Sequence, residues 1–475
     1  METVTCEVYD GKTKLGDLLQ SGLLYQKNST VSNARNEVKS LLSMPPTTKN
    51  DLVMQSPNLE VVSLGTDQES RPRLEYDDGF NPLGLPVMVF ESPSTSSNST
   101  SFKNGSRYLV HDYPPAPAQY WSVMRPIRYA ALAGDSVLVW TKNSLPTGLI
   151  EHWEEAIPGF VKPNFICDEG DNGFDLLKQA NANPDLVVHC YLPLEQIPEQ
   201  NHVVHPSAHY YVAGKNAIPE MTAHSPKHYA DTKAVRPCVV KVTHAMGSLG
   251  IFVIRDDDDE KELLNFLEKT GQPDIAVTEF IEIERNLACH FFVHPSGEVV
   301  WFGYSENEKL AGGGWSSDSR FENDKQTEMR ELLWPYTMDV AKYFLSKGFW
   351  GFAGIDVLFD GAGVGYVVDV NPRVTGSMPA LMASPGVFER FGLRVGKFRK
   401  STRFYFCGSK DELLAFVKRW NAVHKGKGHV VLYSVYEKEP GCTQLNMGVW
   451  ANSVEEVDTI FSLFCAEDRM GGGRA

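Results

Sequence analysis

The chain has 475 residues, and its hydrophobic (42%) and aromatic (11%) contents are those of a globular protein with two to four domains. Because 60 acidic residues outweigh 45 basic ones, for a formal charge of −15, we expect no nucleic acid and no membrane surface as partner. Eight cysteines without CxxC spacing, and the lack of an apolar signal or spanning segment, predict reduced thiols, no zinc site and a cytoplasmic location.

The first part of the chain, residues 1–205, is predicted to be a parallel α/β domain. Short apolar runs alternate with helical stretches such as 116–133, which is typical of strands joined by crossover helices. The runs lie at 86–90, 136–140 and 185–192. A segment rich in Ser and Asn at 92–106 predicts a mobile, partly disordered loop.

A glycine-rich turn lies near the start of a second predicted unit, residues 206–385. Two β-rich runs in VVKVTHAMGSLGIFVI (239–254) flank His244, Gly247, Ser248 and Gly250. Backbone N–H groups exposed by such a turn can bind an anion, and Lys241 in the preceding strand could add an ammonium for phosphate oxygens. A strand follows the turn and no GxxxxGK[ST] motif is present, so a Walker loop is excluded. An ordinary glycine hairpin is the alternative.

An acidic run at 256–260 comes next. It begins a helical pattern that ends near Gly271. Because acids at a helix start interact favourably with the macrodipole, we predict a solvated helix terminus rather than a calcium site.

In DIAVTEFIEIERNLACHFFV (274–293) an apolar strand reaches Phe280 and Ile281 and is followed by Glu282 and Glu284; a triple glycine, 312–314, comes later. Glycine lets a backbone approach a ligand closely. We therefore take Gly313, with Arg320 and Arg285 as carboxylate-binding groups, as candidate substrate contacts. A structural salt bridge is the alternative for both arginines.

Two strands around Gly361-Ala362-Gly363 carry paired acids and predict a hairpin. With Asp356 opposite Val367, Asp369 lies on the same face as a diagonal neighbour, at a Cβ distance of roughly 6–8 Å. Two carboxylates at that spacing suit a hard cation such as Mg²⁺, and Asn371 adds an oxygen on the same face. In this register Val368 and Val370 form the buried side. A solvated sheet face is the alternative.

The last unit, residues 386–475, is predicted to be a small α+β lobe in the order βαββα. Strands are expected at 403–407, 429–436 and 445–450. Capping boxes at Ser409 to Glu412 and Ser453 to Glu456 predict the starts of its two helices.

The order of these motifs resembles the ATP-grasp superfamily over about 206–385: a lysine strand with a glycine loop, then TEFIE, GID and DVNPR. The upstream α/β region resembles the pre-ATP-grasp domain of those enzymes. The closest similarity is to carboxylate–amine ligases, which include amino-acid ligases. This chain departs from the family pattern at Asp369, where a longer Glu is usual.

The resemblance implies ATP and Mg²⁺, or Mn²⁺, as cofactors, and a role for each matching residue. Lys241 and Lys215 would contact phosphates, and the glycine loop at 244–250 would close over them. Adenine would be bound by the backbone at Glu279, Phe280 and Ile281, and the ribose by Glu284 or Glu282. Asp356, Asp369 and Asn371 would hold the metal. Arg373, together with Lys241, would stabilise the transferring phosphoryl group.

The resemblance further implies a ligase that activates a small carboxylic acid as an acyl phosphate and transfers it to an amine, with a homodimer as the candidate assembly. A kinase on the same fold and an ATP-binding regulatory protein are the alternatives. The lysine, the two acids, Asn371 and Arg373 argue against the regulator, since a binding module need not keep two metal-binding acids.

Overall fold

The computed structural model describes most of the chain from residue 124 to residue 467 and short pieces before it. The described residues are 24–25, 60–61, 87–89, 106–111, 124–134, 136–141, 148–168, 175–184, 186–233, 235–245, 250–271, 273–308, 318–399, 404–464 and 466–467. The predicted loop at 92–106 therefore lies almost wholly outside them. Within these residues no helix is long and apolar enough to cross a membrane.

The amino-terminal unit is built on a parallel four-stranded sheet. Its strands are β3 (Val87–Val89), β4 (Val137–Thr141), β5 (Asn164–Asp168) and β6 (Val188–Cys190), in the order β5-β4-β3-β6. A two-stranded pairing of β1 (Leu24–Tyr25) with β2 (Glu60–Val61) precedes it. The helices are α1 (Arg125–Ala130), α2 (Leu149–Ala156) and α3 (Leu176–Ala182). The predicted parallel α/β unit is confirmed, whereas β5 was not predicted, and the helix expected over 116–133 is described only from residue 125.

A small antiparallel sheet follows, together with two short helices, α4 (Pro206–Val212) and α5 (Ile218–Met221). Its strands are β7 (His228–Tyr229), β8 (Cys238–Val242), β9 (Ile251–Ile254) and β10 (Ile275–Glu279), in the order β7-β10-β8-β9. Helix α6 (Asp257–Lys269) packs on it through Leu263. Asp256 caps α6 by accepting from the N–H groups of Asp258 and Asp259, so the acidic run is a helix start, as predicted.

The large sheet has ten strands. The first group is β11 (Ile283–Val293), β12 (Val299–Asn307), β13 (Ser319–Glu322), β14 (Gly351–Asp360) and β15 (Gly365–Asn371), in the order β15-β14-β11-β12-β13. Helix α7 (Gln326–Ser346) covers one face, where Leu287, Phe291 and Ile355 form a buried core with Val340 and Phe344. The opposite face carries Phe292 and Phe352 in a second buried core at one end, and Asp356 further along β14.

The carboxyl-terminal strands extend this same sheet. Strand β16 (Val395–Arg399) pairs with β13 on one side and with β19 (Cys442–Ala451) on the other, and β17 (Phe404–Cys407), β18 (Gly428–Glu439) and β20 (Ala466–Glu467) complete it. The helices are α8 (Met378–Phe391), α9 (Lys410–Val423) and α10 (Val454–Phe464). The capping box at Ser409 and Glu412 is confirmed. The α/β and α+β fold class is thus present, with the predicted lobe joined to the core by continuous strand pairing.

Candidate active site

A β-bulge places the two predicted acids directly opposite each other. Asp356 pairs with Asp369, and Val357 pairs with Val367, so Val368 is an extra residue without a partner in the ladder. The acids share a face, as predicted, but the pairing of Asp356 with Val367 was wrong by two residues. Val357 is the partner of Val367, which shifts the register by one, and the bulge adds the second. Without the bulge Val368 would stand opposite Asp356, and Asp369 would point into the core with Ile355. The buried side chains are Val367 and Val370, and not Val368 as expected.

Lys241 uses the carbonyl group that the bulge releases. Its Nζ donates to the Val368 carbonyl at 2.7 Å, which links β8 of the small sheet to β15 of the large sheet. Lys241 is buried, and desolvation lowers its pKa to about 8 although Asp369 opposes that shift. A lysine in a small-sheet strand is thereby held on the acidic face of the large sheet.

Lys215 makes a second link between the two sheets. Its Nζ lies 3.1 Å from Asp369 Oδ1 and donates to the Ala245 carbonyl, also at 3.1 Å. Burial would raise the pKa of Asp369, but Lys215, Lys241 and Arg373 together hold it below its ordinary value. Asp369 is therefore a carboxylate, and two ammonium groups converge on it.

Arg373 follows Asn371 around the end of β15. Its guanidinium donates to Asn371 Oδ1 at 2.6 Å, and Asn371 Nδ2 donates to Asp369 Oδ2 at 3.3 Å. The guanidinium carbon lies 5.2 Å from the ring centre of Tyr191, a residue of the amino-terminal unit that was not predicted. Tyr191 follows β6 in the sequence with no polar signal of its own, because only the packing of the two units brings it to Arg373.

The predicted adenine and ribose residues lie where the chain passes from the small sheet to the large one. Glu279 ends β10, Phe280 is 38% exposed, and Glu282 and Glu284 are exposed at the start of β11. The Glu279 N–H donates to the Lys227 carbonyl, and its carboxylate accepts from the Lys227 N–H, so this corner is fixed before any ligand binds. Ile281 is half-buried between them. Their roles stay predictions.

The glycine loop connects paired strands β8 and β9, as predicted. Gly247 and Ser248 lie outside the described residues, and Gly250 adopts a φ of +70°. His244 stacks on Tyr210 with ring centres 3.9 Å apart, and its Nε2 lies 3.0 Å from the Tyr210 carbonyl. Burial lowers its pKa to about 4, so the imidazole is neutral. His244 is thus packed at the base of the loop.

The two candidate substrate arginines are not brought to this face. Arg285 and Arg320 both form ion pairs with Glu306, at 3.2 and 3.3 Å. Glu306 pairs with Leu287, whose side chain lies in the core under α7. Cross-strand partners share a face, so Glu306 and the two arginines lie on the α7 face, opposite to the face of Asp356 and Asp369. Both arginines therefore form structural salt bridges, which was the alternative given above. Gly313 lies outside the described residues.

A polar cluster that was not predicted lies beside the acids. His290 of β11 is buried and pairs with Gly354 of β14, which in turn pairs with Asn371 of β15. Its Nδ1 is 2.7 Å from Thr375 Oγ1, and its Nε2 is 3.3 Å from Ser377 Oγ. Gly354 permits this approach, because a Cβ there would lie 2.6 Å from Thr375 Cγ2. The sequence pattern around His290 is that of a core strand, so nothing marked it.

The class of protein is indicated by a family model: residues 219–371 are similar to the ATP-grasp superfamily. The family model that matches those residues is described as L-aspartate–L-methionine ligase, ATP grasp. The matched segment contains Lys241, both acids and Asn371. A comparison with curated proteins finds no match.

Solved structures give distant similarities. N5-carboxyaminoimidazole synthetase from Staphylococcus aureus complexed with ADP is 14% identical over 81% of this chain and 98% of its own, with a TM-score of 0.46. L-amino acid ligase from Bacillus licheniformis is 13% identical over 79% and 95%, with a TM-score of 0.44. Both TM-scores are below 0.5.

Proposed function

We propose that this protein is an ATP-dependent ligase that joins a small carboxylic acid, such as an amino acid, to an amine. The acid would be activated as an acyl phosphate, and ADP and phosphate would be released. The observation that carries this proposal is the face on which Asp356 and Asp369 stand opposite each other while Lys215, Lys241 and Arg373 converge on Asp369. Opposed acids and converging cations are what a magnesium–triphosphate complex requires.

The acids fit a magnesium ion that is bound together with a nucleotide. Mg²⁺ usually takes one or two protein carboxylates and completes its shell with phosphate oxygens and water. Within the described residues no group of three His, Cys, Asp or Glu side chains could hold a metal alone, which agrees with a site that needs the nucleotide. When bound, Mg²⁺ or Mn²⁺ would neutralise charge on the phosphates. Asp356 and Asp369, with Asn371, would hold it.

The basic residues supply the remaining electrostatics. Lys241 and Lys215 would donate to phosphate oxygens, which offer stronger acceptors than the carbonyls of Val368 and Ala245 that they contact now. Arg373 would lie against the transferring phosphoryl group, where a fixed guanidinium stabilises the developing charge. The corner at Glu279, with Phe280 and Ile281, would receive adenine, and Glu284 or Glu282 the ribose.

The description of the matching family makes L-aspartate and L-methionine the first acid and amine to test. ADP release is measured with these two, then with panels of acids and amines. ADP release that requires both an acid and an amine supports the ligase. Release with one acceptor and a stable phosphorylated product supports a kinase, and nucleotide binding without turnover supports a regulator.

Asp369→Asn is the critical variant of this assay, and we expect it to abolish turnover while the protein stays folded. Asp258→Asn, an exposed acid of α6, is the matched control and should keep wild-type turnover. An Asp369→Asn protein with near-normal ADP release would contradict the assignment of this face.

A further inference from the structure

Two cysteines face each other across neighbouring strands, far along the sheet from the acids. Cys407 of β17 and Cys442 of β19 are direct cross-strand partners in an antiparallel pairing. Neither cysteine forms a disulfide; Cys407 is exposed and Cys442 is half-buried. Direct partners point their side chains to the same face of the sheet. The two thiols are therefore accessible neighbours although 34 residues separate them in the sequence.

The backbone hydrogen-bond pattern indicates the distance between the Cα atoms of Cys407 and Cys442. The next pair along, Gly408 and Gly441, exchanges a backbone hydrogen bond, with the Gly408 N–H donating to the Gly441 carbonyl at 2.8 Å. Hydrogen-bonded and non-hydrogen-bonded pairs alternate along an antiparallel ladder, so Cys407 and Cys442 form a non-hydrogen-bonded pair. Such pairs have Cα atoms about 4.5 Å apart, which lies inside the range of roughly 4.4–6.8 Å that disulfides occupy. A bond can form without moving either strand apart.

The other described free cysteines lack this arrangement. Cys190, Cys238 and Cys289 are buried, and burial raises the pKa of Cys289 to about 12. A thiol that ionises so reluctantly is a poor nucleophile.

We propose that Cys407 and Cys442 are a modification site: a dithiol that a small-molecule disulfide such as oxidised glutathione converts reversibly into a cross-strand disulfide. The thiolate of exposed Cys407 attacks the glutathione disulfide, breaks its S–S bond and releases one glutathione thiolate. The Cys442 thiolate then attacks the Cys407 sulfur and releases the second glutathione. The two protons lost by the cysteines are taken up by the two glutathione thiolates, so one disulfide is consumed for each one formed.

The bond would tie β17 to β19. Strand β17 holds the start of α9, since Gly408 and Ser409 follow it directly. An exposed disulfide is the kind that thiol buffers reduce readily, so the tie would respond to the redox state of the surroundings. The proposal does not depend on the ligase activity.

The test incubates the full-length protein with mixtures of oxidised and reduced glutathione, blocks free thiols and maps the peptides by mass spectrometry. We expect a Cys407–Cys442 cross-link, lighter than the dithiol by two hydrogen atoms and reversed by dithiothreitol. Amide exchange of Phe404–Cys407 should slow in the cross-linked form. In the matched variant Cys442→Ser, Cys407 should stop at the mixed disulfide with glutathione. The proposal fails if the wild-type cysteines stay free, remain separately glutathionylated, or cross-link only to other cysteines.

Discussion

The ion pair between Lys215 and Asp369 gives the sharpest quantitative prediction. The two charged atoms are 3.1 Å apart, with side-chain exposures of 8% and 26%. At an effective dielectric constant of about 20, the Coulomb attraction at that distance is about 5 kcal/mol. The partial exposure of Asp369 screens this attraction, and the desolvation of each charge cancels in a double-mutant cycle. We therefore expect a coupling free energy of about 2 kcal/mol.

A double-mutant cycle with Lys215→Met and Asp369→Asn measures this coupling by urea unfolding of the ligand-free protein. Lys418 and Glu155 form the control pair, at 2.6 Å but with exposures of 65% and 51%, and their coupling should stay below about 1 kcal/mol. The pKa of Asp369 is lowered by folding, so its stabilisation is complete above its unfolded value and is lost as the pH falls through the folded one. Equal coupling energies for the two pairs at pH 7 would refute the reasoning.

Three further outcomes follow from the same geometry. Lys241→Met should weaken binding of magnesium–ADP about tenfold or more in calorimetry, because it removes a charge-assisted donor; unchanged affinity would contradict its role. Gly354→Ala should cost about 1–3 kcal/mol of stability, because its Cβ would meet Thr375 at 2.6 Å, whereas Gly361→Ala meets nothing within 4 Å and should be neutral in thermal unfolding. Burial lowers the pKa of His152 to about 3, so the unfolded chain binds the extra proton and this residue's contribution to stability should fall by about 2 kcal/mol between pH 6.5 and pH 5. Other buried histidines such as His244 add to the pH dependence, so a His152→Gln protein should show a slope that is smaller by that amount, and an unchanged slope would contradict the assignment.

Local pattern was sufficient to predict the α/β and α+β fold class and to put Asp356 and Asp369 on one face of a hairpin. Alternation and turn residues predicted the hairpin of β14 and β15, and Asp256 was recognisable as a helix start. The register was not predictable, because neither a turn of three residues at 361–363 nor a bulge leaves a mark on composition. A valine can occupy a buried position or a bulge equally well, so the sequence does not indicate that Val368 is the bulge residue.

Contacts between distant segments were also out of reach of the sequence. Tyr191 meets Arg373 only because the amino-terminal unit packs against the end of β15. The pairing of Arg285 and Arg320 with Glu306 was out of reach for the same reason, since a free guanidinium and a paired one look alike until the face of the strand is known. Lys215 was placed by family resemblance alone, and its distance to Asp369 comes only from the folded chain.

Because successive side chains of a strand alternate between the two faces, the extra residue in the bulge decides which residues of β15 lie on the acidic face. Deleting Val368 would leave Asp369 opposite Asp356, because the shortened strand then pairs regularly, but it would remove the carbonyl that Lys241 contacts. Deleting Val370 instead would leave Asp369 in place and turn Asn371 toward the core. The two deletions each remove one valine, two positions apart, but have different effects. One removes the contact of Lys241 with β15, and the other takes Asn371 off the face of Asp369. The number of residues in this strand therefore matters to the site as much as their identity.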